Sequence, residues 1–136
     1  YDPNDINKGR EEVSKKLHGT YQKKKYEDLV NMLRGLRRFK GRVHIQMGTP
    51  LVDEYKNADE VAVEIDRQIH LNYRLWDTNY FAYDYLNKGS EFNTKYASLN
   101  ENKFLDRYRW LNEELMSTIL HSYANPVVMQ LAAQER

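Results

Sequence analysis

Histidines are the side chains of this chain best suited to acid–base chemistry, and there are four of them: His18, His44, His70 and His121. A histidine works as a general base when a carboxylate orients its imidazole ring. None of the four has Asp five positions later to supply that carboxylate, and no His-Glu-x-x-His metal spacing occurs. The sequence therefore predicts no catalytic residue, no metal site and no cofactor in this chain.

A basic cluster is the second candidate for a site. Its members are Arg34, Arg37, Arg38, Lys40, Arg42 and His44, with Lys23, Lys24 and Lys25 upstream. Such a cluster can contact lipid phosphates or an anionic membrane surface. It is also typical of a solvated helix face that neutralises nearby acidic residues. Arg42 and His44 are two residues apart, so on a strand they would share a face and could form a weak anion site.

The charge balance argues against a nucleic-acid-binding protein. Residues 1–56 carry 13 Lys and Arg against 8 Asp and Glu, whereas residues 57–136 carry 8 against 12. The overall pI is only about 8.1, and most aromatic residues fall in the acidic part. This distribution of basic and aromatic residues does not fit nucleic-acid binding. Zero cysteines exclude disulfides and thiol chemistry.

An aromatic run is the remaining candidate binding surface. It consists of Tyr73, Trp76, Tyr80, Phe81, Tyr83 and Tyr85. Aromatic residues at helical spacing are more often packed in a core or an interface than arranged around a ligand. We therefore expect packing, with a ligand box as the alternative.

Hydrophobic periodicity indicates the elements that must position these residues. It predicts a mainly α chain, an α+β fragment with about five helices and one strand. Five helical stretches are expected over residues 6–17, 21–39, 58–76, 101–119 and 127–134, with a further short aromatic helix over residues 80–86. Three start signals support them: Asn57-x-x-Glu60, Ser98-x-x-Glu101 and Asn125-Pro126.

The strand is expected over residues 42–47, where apolar and polar side chains alternate. Val43, Ile45 and Met47 would point one way, with Arg42, His44 and Gln46 pointing the other. A lone strand leaves its backbone groups unpaired on both edges, and residues 1–3 could supply only a little pairing. The pattern therefore favours a strand that belongs to a larger sheet.

Several stretches together resemble the C-terminal region of bacterial glycerol acyltransferase-like proteins, in the lysophosphatidate and glycerolipid acyltransferase family. They are residues 1–5, 41–51, 65–69, 72–75, 79–83 and 123–127, in the order of the chain. Gly48 and Pro50 match a structural turn of that family, after the strand. The family's catalytic H-x-x-x-x-D motif and its E-G-x-R motif are both absent from this sequence.

The resemblance implies that the chain is the non-catalytic C-terminal part of an enzyme. That enzyme would transfer a fatty acyl group from acyl-CoA or acyl carrier protein to a glycerolipid hydroxyl. Residues 1–56 would form the edge of its α/β domain, and residues 57–136 a helical extension. Because the catalytic residues would lie elsewhere, this chain alone is expected to be inactive.

Two classes of function remain open at this point. The first is the acyltransferase region, cytoplasmic and in peripheral contact with the inner membrane face. Its exposed strand would favour self-association of the isolated chain. The second is a stand-alone helical protein-interaction module without catalysis, with the aromatic run as its binding face.

Overall fold

The computed structural model describes residue 2, residues 4–38 and residues 41–135. Within these ranges the chain forms six α-helices and one short 3-10 helix. They are α1 (Asp5–His18), α2 (Glu27–Arg37), α3 (Ala58–Asn72), α4 (Asp77–Asn87), the 3-10 helix Asn93–Lys95, α5 (Glu101–Leu105) and α6 (Glu113–Gln134). The mainly α class predicted from the sequence is thereby confirmed.

The strand predicted over residues 42–47 is not formed in this structure, where no described residue belongs to a β-strand. Residues 41–57 run as an irregular, largely exposed segment between α2 and α3. A strand is stable only when a neighbour pairs its N–H and C=O groups, and the described chain offers none. Those groups can instead be satisfied by water. Tyr1 and Pro3, expected to add pairing, lie outside the described residues.

Contacts divide the chain into two compact units. The first comprises Tyr1–Val43 and Asn100–Ser122, and the second comprises His44–Leu99 and Tyr123–Arg136. Helix α6 contributes to both units. The predicted assignment of residues 1–56 and 57–136 to two regions of an acyltransferase remains a prediction.

The first unit has a core of apolar and aromatic side chains. The buried residues include Phe104, Leu105, Tyr108, Leu115, Ile119 and Leu120. Helix α1 approaches α6 closely at Gly9, where an added Cβ would lie 2.7 Å from Ile119 Cγ1. Buried Asp5 accepts a hydrogen bond of 2.6 Å from the Tyr108 hydroxyl and pairs with Arg107 at 3.3 Å. These contacts join the start of α1 to the segment between α5 and α6.

The second unit packs α4 and the end of α6 around a smaller core. Its buried apolar residues are Phe81, Ala82, Tyr96, Ala124, Val127 and Ala133. Asn79 accepts from the Trp76 backbone N–H and donates to the Tyr123 carbonyl at 2.8 Å. The Gln130 amide donates to the carbonyls of His70 and Tyr73, at 3.1 and 2.9 Å. It thereby satisfies acceptors that the end of α3 leaves open.

The helices after residue 100 differ from the predicted ones at both ends. The expected helix 101–119 is interrupted after Leu105, because Asn112 Oδ1 accepts from the Leu115 N–H and starts α6. The predicted box of Ser98 and Glu101 is replaced by Asn100, which accepts from the Lys103 N–H. Local Asn caps thus decide these boundaries.

Pro126 lies inside α6 and does not start a new helix as predicted. A proline inside a helix costs about 3 kcal/mol because it lacks an N–H and crowds the preceding turn. The neighbouring residues Ala124 and Val127 are both buried. We attribute the continuous helix to this burial, which offsets the local penalty of the proline.

Candidate functional site

A cavity of about 650 Å³ in the second unit is the first candidate site. The irregular segment forms one wall with His44, Gln46, Gly48, Thr49, Pro50 and Leu51. Helix α3 and the residues after it form the other with Ile65, Gln68, Ile69, Asn72, Tyr73, Arg74 and Trp76. This volume lies in the range of small-molecule sites.

Gln68 holds the two walls of the cavity together. Its Oε1 accepts a hydrogen bond of 2.8 Å from the Thr49 N–H, and its Nε2 donates to Glu64 at 2.9 Å. A Cβ on Gly48 would lie 2.6 Å from Gln68 Oε1, so a larger residue would displace the amide. Gly48 and Pro50 lie in irregular backbone, and their assignment as a family turn stays a prediction.

The chemistry of the cavity suits a ligand with an apolar part and a polar or anionic part. Apolar surface comes from Leu51, Ile65 and Ile69. Arg74 supplies a cation and stacks on Trp76, with its guanidinium carbon 5.1 Å from the ring centroid. Among the described residues, the lining contains no Asp or Glu. The cavity therefore offers binding groups and no acid–base pair.

Beside the cavity, Glu64 forms a two-pronged ion pair with Arg67. Arg67 Nε and Nη2 donate to the two carboxylate oxygens at 2.7 and 2.8 Å. These bonds, together with that from Gln68, lower the pKa of Glu64 to about 2. The carboxylate is therefore ionised at neutral pH and orients Gln68 toward the segment with Thr49.

The basic surface of the first unit is the second candidate site. Arg34 and Arg37 lie in the last turn of α2, and Arg38 follows it directly. Lys40 lies outside the described residues. The strand face that Arg42 and His44 were expected to share is not formed, since the strand is absent from the described chain. Of the predicted basic cluster, Arg34, Arg37 and Arg38 therefore lie together at the C-terminal end of α2.

The two acidic residues at the start of α2 are bound locally. Glu27 accepts from the Tyr21 hydroxyl at 2.6 Å and from the Lys24 N–H at 2.9 Å. The first of these bonds lowers the pKa of Glu27 and raises that of Tyr21. Asp28 pairs with Lys23 at 2.8 Å. The Glu27 bonds also explain why α2 starts six residues later than expected, because they tie Tyr21 and the Lys24 N–H to the first residue of the helix.

The aromatic run predicted as packing is largely packed. Phe81 is buried, and the Tyr80 and Tyr83 rings lie 5.1 and 5.5 Å from that of Phe92. Trp76 and Tyr73 line the cavity, whose volume is large enough for a small ligand. The stacking of Arg74 on Trp76 follows from the fold, and no sequence signal located this cavity. Gln68 carries no such signal either.

None of the helices in the described part is both long and apolar enough to cross a membrane. The described residues also contain no group of three or more potential metal ligands. Comparison with known family models, with curated proteins and with solved structures finds no match to this chain.

Proposed function

We propose that this chain is the C-terminal, non-catalytic region of an acyltransferase. The whole enzyme would move a fatty acyl group from acyl-CoA or acyl carrier protein to a glycerolipid hydroxyl. It would work in the cytoplasm at the inner membrane face. The proposal rests on the ordered resemblance of residues 41–51, 65–69 and 79–83 to that family.

One structural observation carries the proposal further. Val43, Ile45 and Met47 alternate along the irregular segment and are 75%, 85% and 88% exposed. Exposed apolar side chains at a period of two are what a strand presents when it is separated from its sheet. We infer that residues 42–47 of this segment join the sheet of an acyltransferase domain, where their backbone is paired and their apolar side is covered.

The cavity fits the same proposal as an accessory feature. Its apolar wall at Ile65 and Ile69 suits hydrocarbon, and Arg74 suits an anionic group. The alternative function, a helical interaction module that binds through the aromatic run, has less support. Phe81 of that run is buried in the core, and Tyr85, the one exposed member outside the cavity, is only 45% exposed.

The test begins with the native protein in its source cells. An antibody against this chain should detect a band well above 16.3 kDa. The immunopurified protein should transfer labelled acyl groups from acyl-CoA or acyl carrier protein to a lysophospholipid or glycerol phosphate. The purified 136-residue chain serves as the control and should transfer none. A native band at 16.3 kDa, or a larger protein without transfer, would contradict the proposal.

A matched pair of variants in the intact protein tests the role of the segment. Ile45→Lys places a charge where the proposed strand would be covered, whereas Val52→Lys changes a residue of similar exposure outside it. We expect Ile45→Lys to abolish transfer and Val52→Lys to leave it intact, because burying an unpaired charge is costly. Equal activity of the two variants would argue against strand docking.

A further inference from the structure

Helix α2 turns its polar side toward α1. The Asn7 amide donates to Asn31 Oδ1 at 2.8 Å, and the Asn4 amide donates to the Asn31 carbonyl at 3.0 Å. Gly35, one turn later on the same side, lies against the Asn4 amide. Asn31 and Gly35 are four residues apart and so share a face of the helix. This face, and not the apolar one, is attached to the rest of the first unit.

The apolar face of α2 is turned to solvent. It consists of Leu29, Val30, Met32, Leu33 and Leu36. Their exposed fractions run from 45% for Leu33 to 70% for Leu36, and α2 contains no buried residue. A surface helix normally places such a stripe against the core. The reversed orientation leaves an apolar surface that needs an external partner.

Cations surround this apolar face. Arg34 and Arg37 lie in α2, Lys24 and Lys25 precede it, and Arg38 follows it. Within the described chain none of them forms an ion pair with a carboxylate. The nearby acids Glu27 and Asp28 are engaged by Tyr21 and Lys23. The surface is therefore apolar in the middle and positive at both ends.

We propose that α2 docks on an anionic phospholipid bilayer, with its apolar face in the interface and its cations on the lipid phosphates. An anionic bilayer supplies apolar depth and negative charge on one surface, which matches this pattern. A protein partner would have to provide both an apolar groove and several carboxylates at fixed positions to avoid leaving charges unpaired. This inference does not depend on the acyltransferase proposal.

The experiment is co-sedimentation of the full 136-residue chain with lipid vesicles. One set contains equal parts of phosphatidylglycerol and phosphatidylcholine, and the other contains phosphatidylcholine alone. We expect binding to the first set and little binding to the second. Since surface charges are screened by salt, raising the ionic strength should weaken the binding.

Two double variants separate the apolar and the charged contributions. Leu33→Ser with Leu36→Ser should weaken partitioning to anionic vesicles by at least about tenfold, because the inserted apolar surface is lost. Arg37→Gln with Arg38→Gln should weaken it by about thirtyfold, from two basic residues near an anionic surface. All four side chains are solvent-exposed, so the thermal unfolding of both variants should match that of the parent chain.

Matched controls come from exposed residues outside α2. Val63→Ser removes an apolar side chain of comparable exposure, and Lys95→Gln with Lys103→Gln removes two exposed cations. Both controls should bind anionic vesicles as the parent chain does. The proposal is overturned if the parent chain ignores anionic vesicles, or if the controls lose as much binding as the α2 variants. It is also overturned if the α2 variants bind anionic vesicles as the parent chain does and lose only self-association or protein binding. That result would mean that the apolar face of α2 binds a protein.

Discussion

Helices α2 and α4 have the same length, eleven residues, and opposite relations to solvent. Helix α4 buries Phe81 and Ala82 and gives its buried polar residues partners, since Asp84 Oδ2 accepts from the Phe92 N–H and the Tyr96 hydroxyl. Helix α2 buries nothing and exposes its apolar face. The difference shows that the apolar side chains of α4 pack within the chain, whereas the apolar face of α2 is available to an external partner.

Truncating an apolar residue should affect the stability of α4 far more than that of α2, and this is the largest change that we expect. Phe81→Ala should lower the free energy of unfolding by about 3–5 kcal/mol, because it leaves a cavity in the core. Leu36→Ala should change it by less than about 0.5 kcal/mol, because Leu36 is 70% exposed. Urea titration followed by circular dichroism measures both. Similar losses in the two variants would contradict the difference in burial between α2 and α4.

Removing a carboxylate should also cost more stability in α4 than in α2, although the difference is smaller. Asp84→Ala should cost about 2–3 kcal/mol, because the Phe92 N–H and the Tyr96 hydroxyl lose their acceptor in a buried place. Asp28→Ala removes only an exposed pair with Lys23, so its cost should stay below about 1 kcal/mol. The same urea titration applies. A cost for Asp28→Ala as large as that for Asp84→Ala would mean that α2 is anchored by charge.

Two helical glycines contrast the tight contact of α1 with α6 and the looser contact of α2 with the start of α1. Gly9→Ala should destabilise the chain by about 1–2 kcal/mol, because its Cβ would collide with buried Ile119. Gly35→Ala should stabilise it by about 0.5–1 kcal/mol, because the nearest atom, Asn4 Nδ2, is 3.7 Å from the new Cβ. Thermal unfolding of both variants is the measurement. Strong destabilisation by Gly35→Ala would indicate a tighter α1–α2 contact than the one described.

The smallest effect concerns pH and helix α3, which like α2 buries no residue. The folded pKa of Glu64 is about 2, below its ordinary value of 4.5. Glu64 therefore adds stability above pH 4.5, and that contribution is lost as the pH falls from 4.5 toward 2. The melting temperature of Glu64→Gln should fall less steeply over this range than that of the parent chain. An equally steep fall for Glu64→Gln would contradict this role of the Glu64–Arg67 ion pair.

The sequence could predict the parts of the fold that depend on local pattern. The α1 stretch was predicted to within one residue at each end, and Asn57 caps α3 as expected. The strand could not be excluded from local pattern, because pairing depends on residues far away in the chain. Pro126 was misread for a related reason: burial of Ala124 and Val127 overrides its usual place at a helix start.

The candidate sites were only partly predictable. The basic cluster was visible from composition, but the side of α2 that faces outward depends on the Asn4, Asn7 and Asn31 contacts, which no periodicity rule encodes. An amphipathic pattern predicts that the apolar side is buried, and here the reverse holds. The cavity depends on Gln68 reaching the Thr49 N–H across nineteen residues, a contact that spacing alone does not indicate.

The most direct test of the account uses the absence of cysteine from the sequence. Leu36→Cys places a single thiol on the apolar face of α2, and Val63→Cys places one at an exposed position of α3. Maleimide labelling is followed with and without vesicles of phosphatidylglycerol and phosphatidylcholine. We predict that both thiols react rapidly in solution and that anionic vesicles protect only the thiol at position 36. Slow labelling at position 36 in solution, or no protection by anionic vesicles, would contradict the account.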